Sequence, residues 1–436
     1  MPVTAVGNAM AAAPPVQGLP GYPWESVPPP SAQDFVTHCV ASVHALRRSL
    51  RGLYRSVDAD EDRPQAVARR FGLNKNLTWK IAKLLGDGES LEAVANVPGA
   101  EGIGILLTAM EREGASAVAV ESVRRDFDAF EAMMRAHAGD RATLDLLIDG
   151  LVKGSRALEV SRKLAFRGNS GVWGLQARVR SSLQVLAPTA GRSDRLDDVV
   201  AAGLHDIRRL RPVQGWPIFR FHHYGIGGEG SGRQREFMPI EPPAVDDDPA
   251  LIMRSFCSPH GAEVRSVREG SDIRHELVDG PIGQRGAVTF MFGSIERGAF
   301  GRYADPGALE PEFGEMVAFV TMPTELVQMD VLVHRSMLHE FEAECVVYGR
   351  PFGGFETDPA ARERYRLPIA GDIERIDPAR ASLDTEDLPE RTELATMVVE
   401  RGGWSLAEFV AFRATVPYPP MPSSIVMRYR LPAAPR

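Results

Sequence analysis

The chain has 436 residues, of which 44% are hydrophobic and 25% charged, and its formal net charge is −8. Because domains divide once they exceed roughly 250 to 300 residues, this length predicts two folded domains. The composition excludes a fibrous or disordered chain, and no apolar run reaches the roughly 18 residues that a bilayer crossing needs. The negative charge argues against indiscriminate binding of nucleic acid.

The first thirty residues are rich in proline and lack the basic and long apolar segments of a secretory signal. We expect residues 1–30 to form a flexible tail and the protein to be cytoplasmic. Three widely spaced cysteines, Cys39, Cys257 and Cys345, support neither a disulfide framework nor a zinc finger. They fit a reducing compartment.

A helical half follows the tail. Ser31 and Asp34 begin an amphipathic pattern in which apolar residues recur at steps of three and four as far as Leu53, and an acidic turn from Asp58 to Asp62 ends it. Pro64 then suits the first turn of a new helix. Further helical patterns run from Leu91 to Asn96, Glu101 to Glu113, Ala117 to His137 and Asp140 to Leu151.

Positive charge is concentrated in this half. Ten basic and four acidic residues lie between Ala41 and Leu85, which gives that segment a net charge of +6 within a negative chain. The pattern from Ser155 to Leu186 is again helical, and residues 153–180 hold seven basic residues against one acid. This second basic segment fits either a solvated helix face or a further strip that contacts a nucleic-acid backbone.

After Pro188, prolines and glycines become frequent and β-branched and aromatic residues gather in short runs, which indicates strands. Helices are expected at Glu390 to Glu400 and Ser405 to Thr415, and Leu196 to Arg209 fits either helix or strand. The predicted fold class is therefore a multi-domain chain with an all-α N-terminal half, residues 31–188, and an α+β C-terminal domain, residues 189–436. The expected strands are Ile218 to Tyr224, Ala287 to Phe292, Met316 to Thr321, Leu326 to His334, Cys345 to Tyr348 and Ser424 to Leu431.

The most informative motif runs from Pro64 to Leu85. A helix that ends at Phe71 is followed by Gly72, which tolerates the positive φ of a sharp turn, and Asn74 is a good N-cap for a second helix. Ala68 is small enough to let two helices approach closely. In the second helix Leu77, Ile81, Leu84 and Leu85 form an apolar face, and Trp79 is expected to pack against a neighbouring helix.

This segment resembles the helix-turn-helix of bacterial transcriptional regulators over about 22 residues. The resemblance implies that the second helix lies in the major groove, with Lys75, Asn76, Thr78, Lys80 and Lys83 near DNA. One departure is that Thr78 occupies a position where the family usually has an apolar residue. The alternative is a helical hairpin buried in a core that never contacts nucleic acid.

The C-terminal half gives weaker signals. His222, His223, His334 and His339 do not match a dense metal-binding spacing, and the glycine-rich residues 225–230 lack the Lys-Ser/Thr of a phosphate loop. No G-x-S-x-G turn surrounds Ser258. We therefore predict no catalytic residue, no metal and no cofactor, and treat residues 225–230 as a mobile loop.

These patterns favour a transcriptional regulator that binds double-stranded DNA, with a C-terminal domain that senses a small-molecule effector or forms a homo-oligomer. No membrane partner is expected. The alternative hypothesis is an enzyme, either dependent on a metal or not. In that case the C-terminal domain carries out the chemistry, and the basic helices serve to dock a partner. A non-catalytic interaction protein is the third hypothesis.

Overall fold

A computed structural model of the chain describes residues 32–86, 90–151, 156–213, 215–222, 238–242, 251–258, 264–269, 272–307, 311–350 and 362–435. The predicted tail, residues 1–30, lies outside these residues. The chain forms two compact units, Met1–Gly154 and Ser155–Arg436. None of the described helices combines the length and the hydropathy that a bilayer crossing needs.

The described part of the first unit is built from helices. The helices are α1 Ala32–Ser56, α2 Pro64–Phe71, α3 Lys75–Leu85, α4 Ser90–Ala93, α5 Ala100–Arg112, α6 Ala117–His137 and α7 Arg141–Leu151. Apolar residues of α1 repeat at helical spacing and are buried, with Leu46, Leu50 and Leu53 all at 0% exposure. They share one core with Phe127 and Phe130 of α6 and with the apolar face of α3.

The second unit combines helices with strands. The helices are α8 Arg156–Trp173 and α9 Arg391–Gly402. The strands are β1 Leu175–Thr189, β2 Arg192–Arg209, β3 Trp216–His222, β4 Met238–Pro239, β5 Val264–Glu269, β6 Asp272–Leu277, β7 Val288–Gly301, β8 Phe313–Val320, β9 Thr324–His334, β10 Ala343–Tyr348, β11 Arg366–Gly371, β12 Ile373–Ile376, β13 Phe409–Pro417 and β14 Ser423–Arg430.

A seven-stranded mixed sheet in the order β12-β13-β9-β1-β2-β7-β4 forms the centre of this unit. The β1–β9 pair is parallel, and the sheet's other pairs are antiparallel. One face packs against α9 through Leu183, Leu332 and Val398. The other face packs against a four-stranded sheet, β11-β10-β14-β8, through Val331 and Ile425 among others. A third sheet has the order β3-β6-β5.

The predicted fold class is wrong. The region assigned to an all-α half, residues 31–188, contains β1, which pairs with β2 on one side and β9 on the other. The chain also divides between Gly154 and Ser155, so Pro188 lies inside the second unit, near the end of β1. Leu175, Ala177 and Val179 alternate with polar residues at a period of two, which suits a strand, but the intervening arginines resemble a basic helix face.

Two further segments differ from or refine the predictions. The helix predicted at Ser405 to Thr415 is wrong. Leu406–Glu408 form a short 3₁₀ turn, and the strand β13 begins at Phe409. The β-branched and aromatic residues of this segment lie in a buried strand between β9 and β12. Residues 196–209, which fitted either structure, belong to β2. The helix predicted at Glu390 to Glu400 is confirmed as α9.

Candidate nucleic-acid interface

The turn between α2 and α3 has the predicted geometry. Val67, Ala68 and Phe71 of α2 are buried. Gly72 has φ 65° and ψ 30°, in the left-handed region, and its N–H donates to the carbonyl of Ala68. A glycine adopts this conformation without the penalty that a Cβ brings, so the chain reverses directly after Phe71.

The first turn of α3 is fixed by its N-cap. The side chain of Asn74 accepts a hydrogen bond from the backbone N–H of Asn76 over 2.8 Å. Leu73, between the two helices, is buried at 8% exposure. The cap and this apolar anchor together set the direction in which α3 leaves the turn.

The two faces of α3 are chemically distinct. Thr78, Ile81, Leu84 and Leu85 are buried, whereas Lys75, Asn76, Trp79, Lys80 and Lys83 are exposed. At 3.6 residues per turn, the five exposed positions fall within an arc of about 140°. The exposed face holds three lysines, an asparagine and a tryptophan, and α3 contains no acidic residue.

Thr78 corrects the set of predicted DNA-contacting residues. Its side chain is 1% exposed, and its hydroxyl donates to the carbonyl oxygen of Lys75 over 3.0 Å. That internal hydrogen bond satisfies the hydroxyl, so a threonine can occupy a core position on α3. Leu77, one residue earlier, is only partly buried. The core face of α3 therefore includes Thr78, and Thr78 is too deeply buried to contact DNA.

Trp79 also differs from expectation. Its side chain is 47% exposed, although an indole on a helix was expected to pack against a neighbouring helix. It lies one turn from both Lys75 and Lys83, on the exposed face. An exposed tryptophan surrounded by lysines can provide apolar contact area in an otherwise charged interface. The helical period places Trp79 outside the apolar face of α3, but it does not show whether a neighbouring helix covers that position.

The three lysines of α3 are available to an external anion. Among the described residues, Lys75, Lys80 and Lys83 form no hydrogen bond or ion pair with any other side chain. Their ammonium groups therefore stay hydrated in the free protein. Such groups can pair with phosphate oxygens without first breaking an internal salt bridge.

Several arginines of the basic segment have a structural role instead. Arg47 is 7% exposed and donates from Nε to the carbonyl of Leu84, and Arg51 donates to the carbonyl of Leu85. Arg70 donates to the carbonyls of Val57 and Asp58, the two residues that follow α1. These guanidinium groups therefore hydrogen-bond to carbonyls in the last turn of α3 and directly after α1. The net charge of +6 therefore overstates the number of basic side chains that are available to a binding partner.

The second basic segment, residues 153–180, is largely engaged within its own unit. Arg162 donates to the carbonyl of Pro417, and Arg178 pairs with Asp387 over 2.7 Å. Arg180 bonds to two backbone carbonyls. Lys163 lies 5.3 Å from the ring centroid of Tyr418. Arg178 and Arg180 belong to a strand, so the predicted continuous basic helix does not exist.

Of the histidines considered above, His334 and His339 have different partners. His334 Nδ1 lies 2.8 Å from Ser336 Oγ and caps a short turn, while His339 pairs with Glu340 over 3.3 Å. Across the residues that the structure describes, no group of three metal-binding side chains was found. His223 and the glycine-rich residues 225–230 lie outside the described residues, and so does the side-chain environment of His222.

Comparison of the chain with protein-family models, with curated proteins and with solved structures found no match. The assignment of a function therefore depends on the chemistry of the site itself.

Proposed function

We propose that this protein binds double-stranded DNA through α3 and regulates transcription. The observation that supports the proposal is the exposed face of α3, which carries Lys75, Asn76, Lys80 and Lys83 with no acidic residue and no internal ion pair among the described residues. Lysine pairs with phosphates and guanine edges, and asparagine pairs with adenine. The fold of the second unit contributes nothing to this proposal.

The dimensions of α3 suit a major groove. A helix with its side chains is about 10 to 12 Å across, and the groove is about 12 Å wide. Lys75 and Lys83 are separated by eight residues, or about 12 Å along the axis. Asn76 lies in the first turn, where a helix of this motif approaches base edges. The lysines therefore follow the backbone while Asn76 reaches into the groove.

The buried-hairpin alternative requires these side chains to be covered. It is disfavoured because the five residues of the outward face are exposed in the described unit. A protein partner on the same face would need a surface rich in carboxylates to balance three lysines. DNA supplies that charge at every phosphate.

The test compares two triple variants with equal loss of charge. Lys75, Lys80 and Lys83 are replaced by alanine in one, and Arg124, Arg125 and Arg135 of α6 in the other. Fluorescence anisotropy measures binding to a pool of genomic duplexes at several salt concentrations. We expect the α3 variant to lose binding and the α6 variant to bind as the parent does. Equal loss in both variants, or a parent that binds no duplex, contradicts the proposal.

A further inference from the structure

Two histidines of the first unit approach each other where α1 and α6 pack together. His38 Nδ1 and His137 Nε2 are 3.0 Å apart. His38 lies in the second turn of α1, and His137 is the last residue of α6. The two residues are 99 positions apart in the sequence. The pair therefore exists only because the two helices share one core.

The pair lies at the surface, with one ring supported by the core. His38 is exposed and His137 is partly exposed. Phe35, about one turn before His38, is 7% exposed, and its ring centroid lies 5.5 Å from that of His137. This contact restricts the imidazole of His137 on its buried side. An ion in solution therefore reaches the pair without passing through the core.

The facing nitrogens are not committed to other groups. Among the described residues, neither histidine has a hydrogen-bond partner except the opposite imidazole. A neutral imidazole carries one proton, which can lie on either ring nitrogen. With the protons on Nε2 of His38 and Nδ1 of His137, both facing nitrogens present a lone pair. Two lone pairs repel each other unless a cation lies between them, so this state of the pair favours a metal ion.

The spacing of the two nitrogens suits one ion. Two nitrogens 3.0 Å apart, each about 2.0 to 2.1 Å from an ion, subtend an angle of about 95° at that ion. This angle lies between the roughly 90° of square-planar or octahedral coordination and the roughly 109° of a tetrahedron. The χ2 torsion of histidine is broad, so rotation of each ring can direct both lone pairs at the ion.

The electrostatics of the helix end also favour a cation. The last carbonyls of α6 make that end of the helix dipole negative, and His137 lies there. Arg135, the other basic residue of this last turn, pairs with Glu131 over 2.7 Å. The positive end of the α1 dipole acts mainly within its first turn, and His38 lies beyond it.

We propose that His38 Nδ1 and His137 Nε2 bind one divalent transition-metal ion of the kind that imidazole prefers, such as Zn²⁺ or Ni²⁺. Any proton between the facing nitrogens leaves to water, and the far nitrogen of that ring takes one up, so both rings stay neutral. The described residues offer no group of three metal-binding side chains, so water fills the other positions. The ion links α1 to α6 only in the folded state and stabilises the first unit, independently of DNA binding.

Metal binding is first measured on the full chain without a histidine tag. Zn²⁺, Ni²⁺ and Mg²⁺ are each titrated by calorimetry, and thermal unfolding is followed by circular dichroism with and without each ion. A ligand that binds only the folded state raises the melting temperature. We expect a saturable rise with Zn²⁺ and Ni²⁺ and none with Mg²⁺, which prefers oxygen ligands. A parent that binds neither Zn²⁺ nor Ni²⁺ overturns the proposal.

Three variants locate the site, because the chain has 10 histidines. His38→Ala and His137→Ala each remove one ligand, and His44→Ala removes an exposed imidazole about 9 Å further along α1. We expect each ligand variant to weaken binding at least about 10- to 100-fold, the cost of losing even a supporting residue of a metal site. The His44→Ala variant should bind as the parent does. The assignment fails if His44→Ala weakens binding equally, or if either ligand variant binds as the parent does.

A further variant separates metal binding from a hydrogen bond between the two rings. In His38→Gln the amide can still donate to or accept from His137, but its oxygen is a poor ligand for Zn²⁺ and Ni²⁺. We expect this variant to melt as the parent does without metal and to lose the rise with metal. It also provides the test if His38→Ala does not fold. An unchanged metal affinity in folded His38→Gln contradicts the proposal.

Discussion

Arg47 of α1 donates a hydrogen bond from its Nε to the backbone carbonyl oxygen of Leu84, over 2.6 Å, and so closes the C-terminal end of α3. The last carbonyls of a helix have no partner within the helix, and a cation also interacts favourably with the negative end of the helix dipole. The position of α3 relative to α1 therefore depends on a side chain that sequence analysis grouped with the DNA-facing charges.

We expect Arg47→Met to destabilise the first unit by about 1 to 3 kcal/mol, because the carbonyl of Leu84 loses its buried donor. Urea unfolding followed by circular dichroism measures the change. Arg48→Met is the matched control, since Arg48 is exposed on the same helix and should change stability by less than about 0.5 kcal/mol. Equal stability of the two variants would show that the bond contributes nothing.

Ala68→Leu should destabilise the first unit by about 1 to 3 kcal/mol, the range for overpacking a tight contact. Ala68 is 5% exposed on the face of α2 that includes Val67 and Phe71. The same substitution at Ala66, which is exposed on α2, is the control. A melting transition that moves no further in Ala68→Leu than in Ala66→Leu would be incompatible with close packing at Ala68.

Thr78→Val should leave DNA affinity nearly unchanged and should destabilise the first unit by about 0.5 to 1.5 kcal/mol, the net contribution of one hydrogen bond. The valine keeps the shape of the buried side chain, and the lost hydroxyl hydrogen bond is internal to α3. Thr78→Lys, in contrast, places a charge in the core and should unfold the unit. A folded Thr78→Val variant with much weaker DNA binding would show that Thr78 contributes to the DNA interface.

Lys80→Ala and Lys83→Ala should each weaken binding to specific and nonspecific duplexes alike, because phosphate contacts carry no sequence information. Each lost contact should reduce the slope of log affinity against log salt by about one unit. Asn76→Ala should instead reduce discrimination between sequences by about 1 to 3 kcal/mol with the slope nearly unchanged. All three variants should stay folded, and identical effects at the three positions would refute the separate roles.

Asp330→Asn should destabilise the second unit by about 3 to 5 kcal/mol, because Arg391 and Arg413 would remain buried without their carboxylate. Burial alone would raise the pKa of Asp330, but the charges of Arg391 and Arg413 outweigh it and lower the pKa below its usual value. The stabilisation is present above the unfolded pKa of about 3.9 and is lost as the pH falls through the folded value. Acid unfolding of the parent measures it.

The control for this carboxylate is Glu386→Gln, at an exposed position between β12 and α9. Its stability should remain within about 0.5 kcal/mol of the parent. If Asp330→Asn were as stable as Glu386→Gln, the hydrogen bonds that Asp330 accepts from Arg391 and Arg413 would contribute nothing to the stability of the second unit.

The sequence by itself determined the local features of the first unit. The α2 helix, the left-handed turn at Gly72 and the N-cap at Asn74 follow from steric limits and hydrogen bonds that span only a few residues. The apolar period of three and four located α1, α5, α6 and α7 for the same reason. The exposure of the lysines on α3 was also predictable from that period.

Only the tertiary structure decided which polar residues are buried and what they bind. Leu175–Thr189 is a strand because β2 and β9 supply its hydrogen bonds, and the basic residues within it concealed a period of two. Arg391 reaches the carbonyl of Ser182 across 209 positions of sequence. Such contacts form only when distant segments of the chain pack together, which no local pattern encodes. The roles of Arg47 and Thr78 likewise depend on tertiary packing, in their case within the first unit.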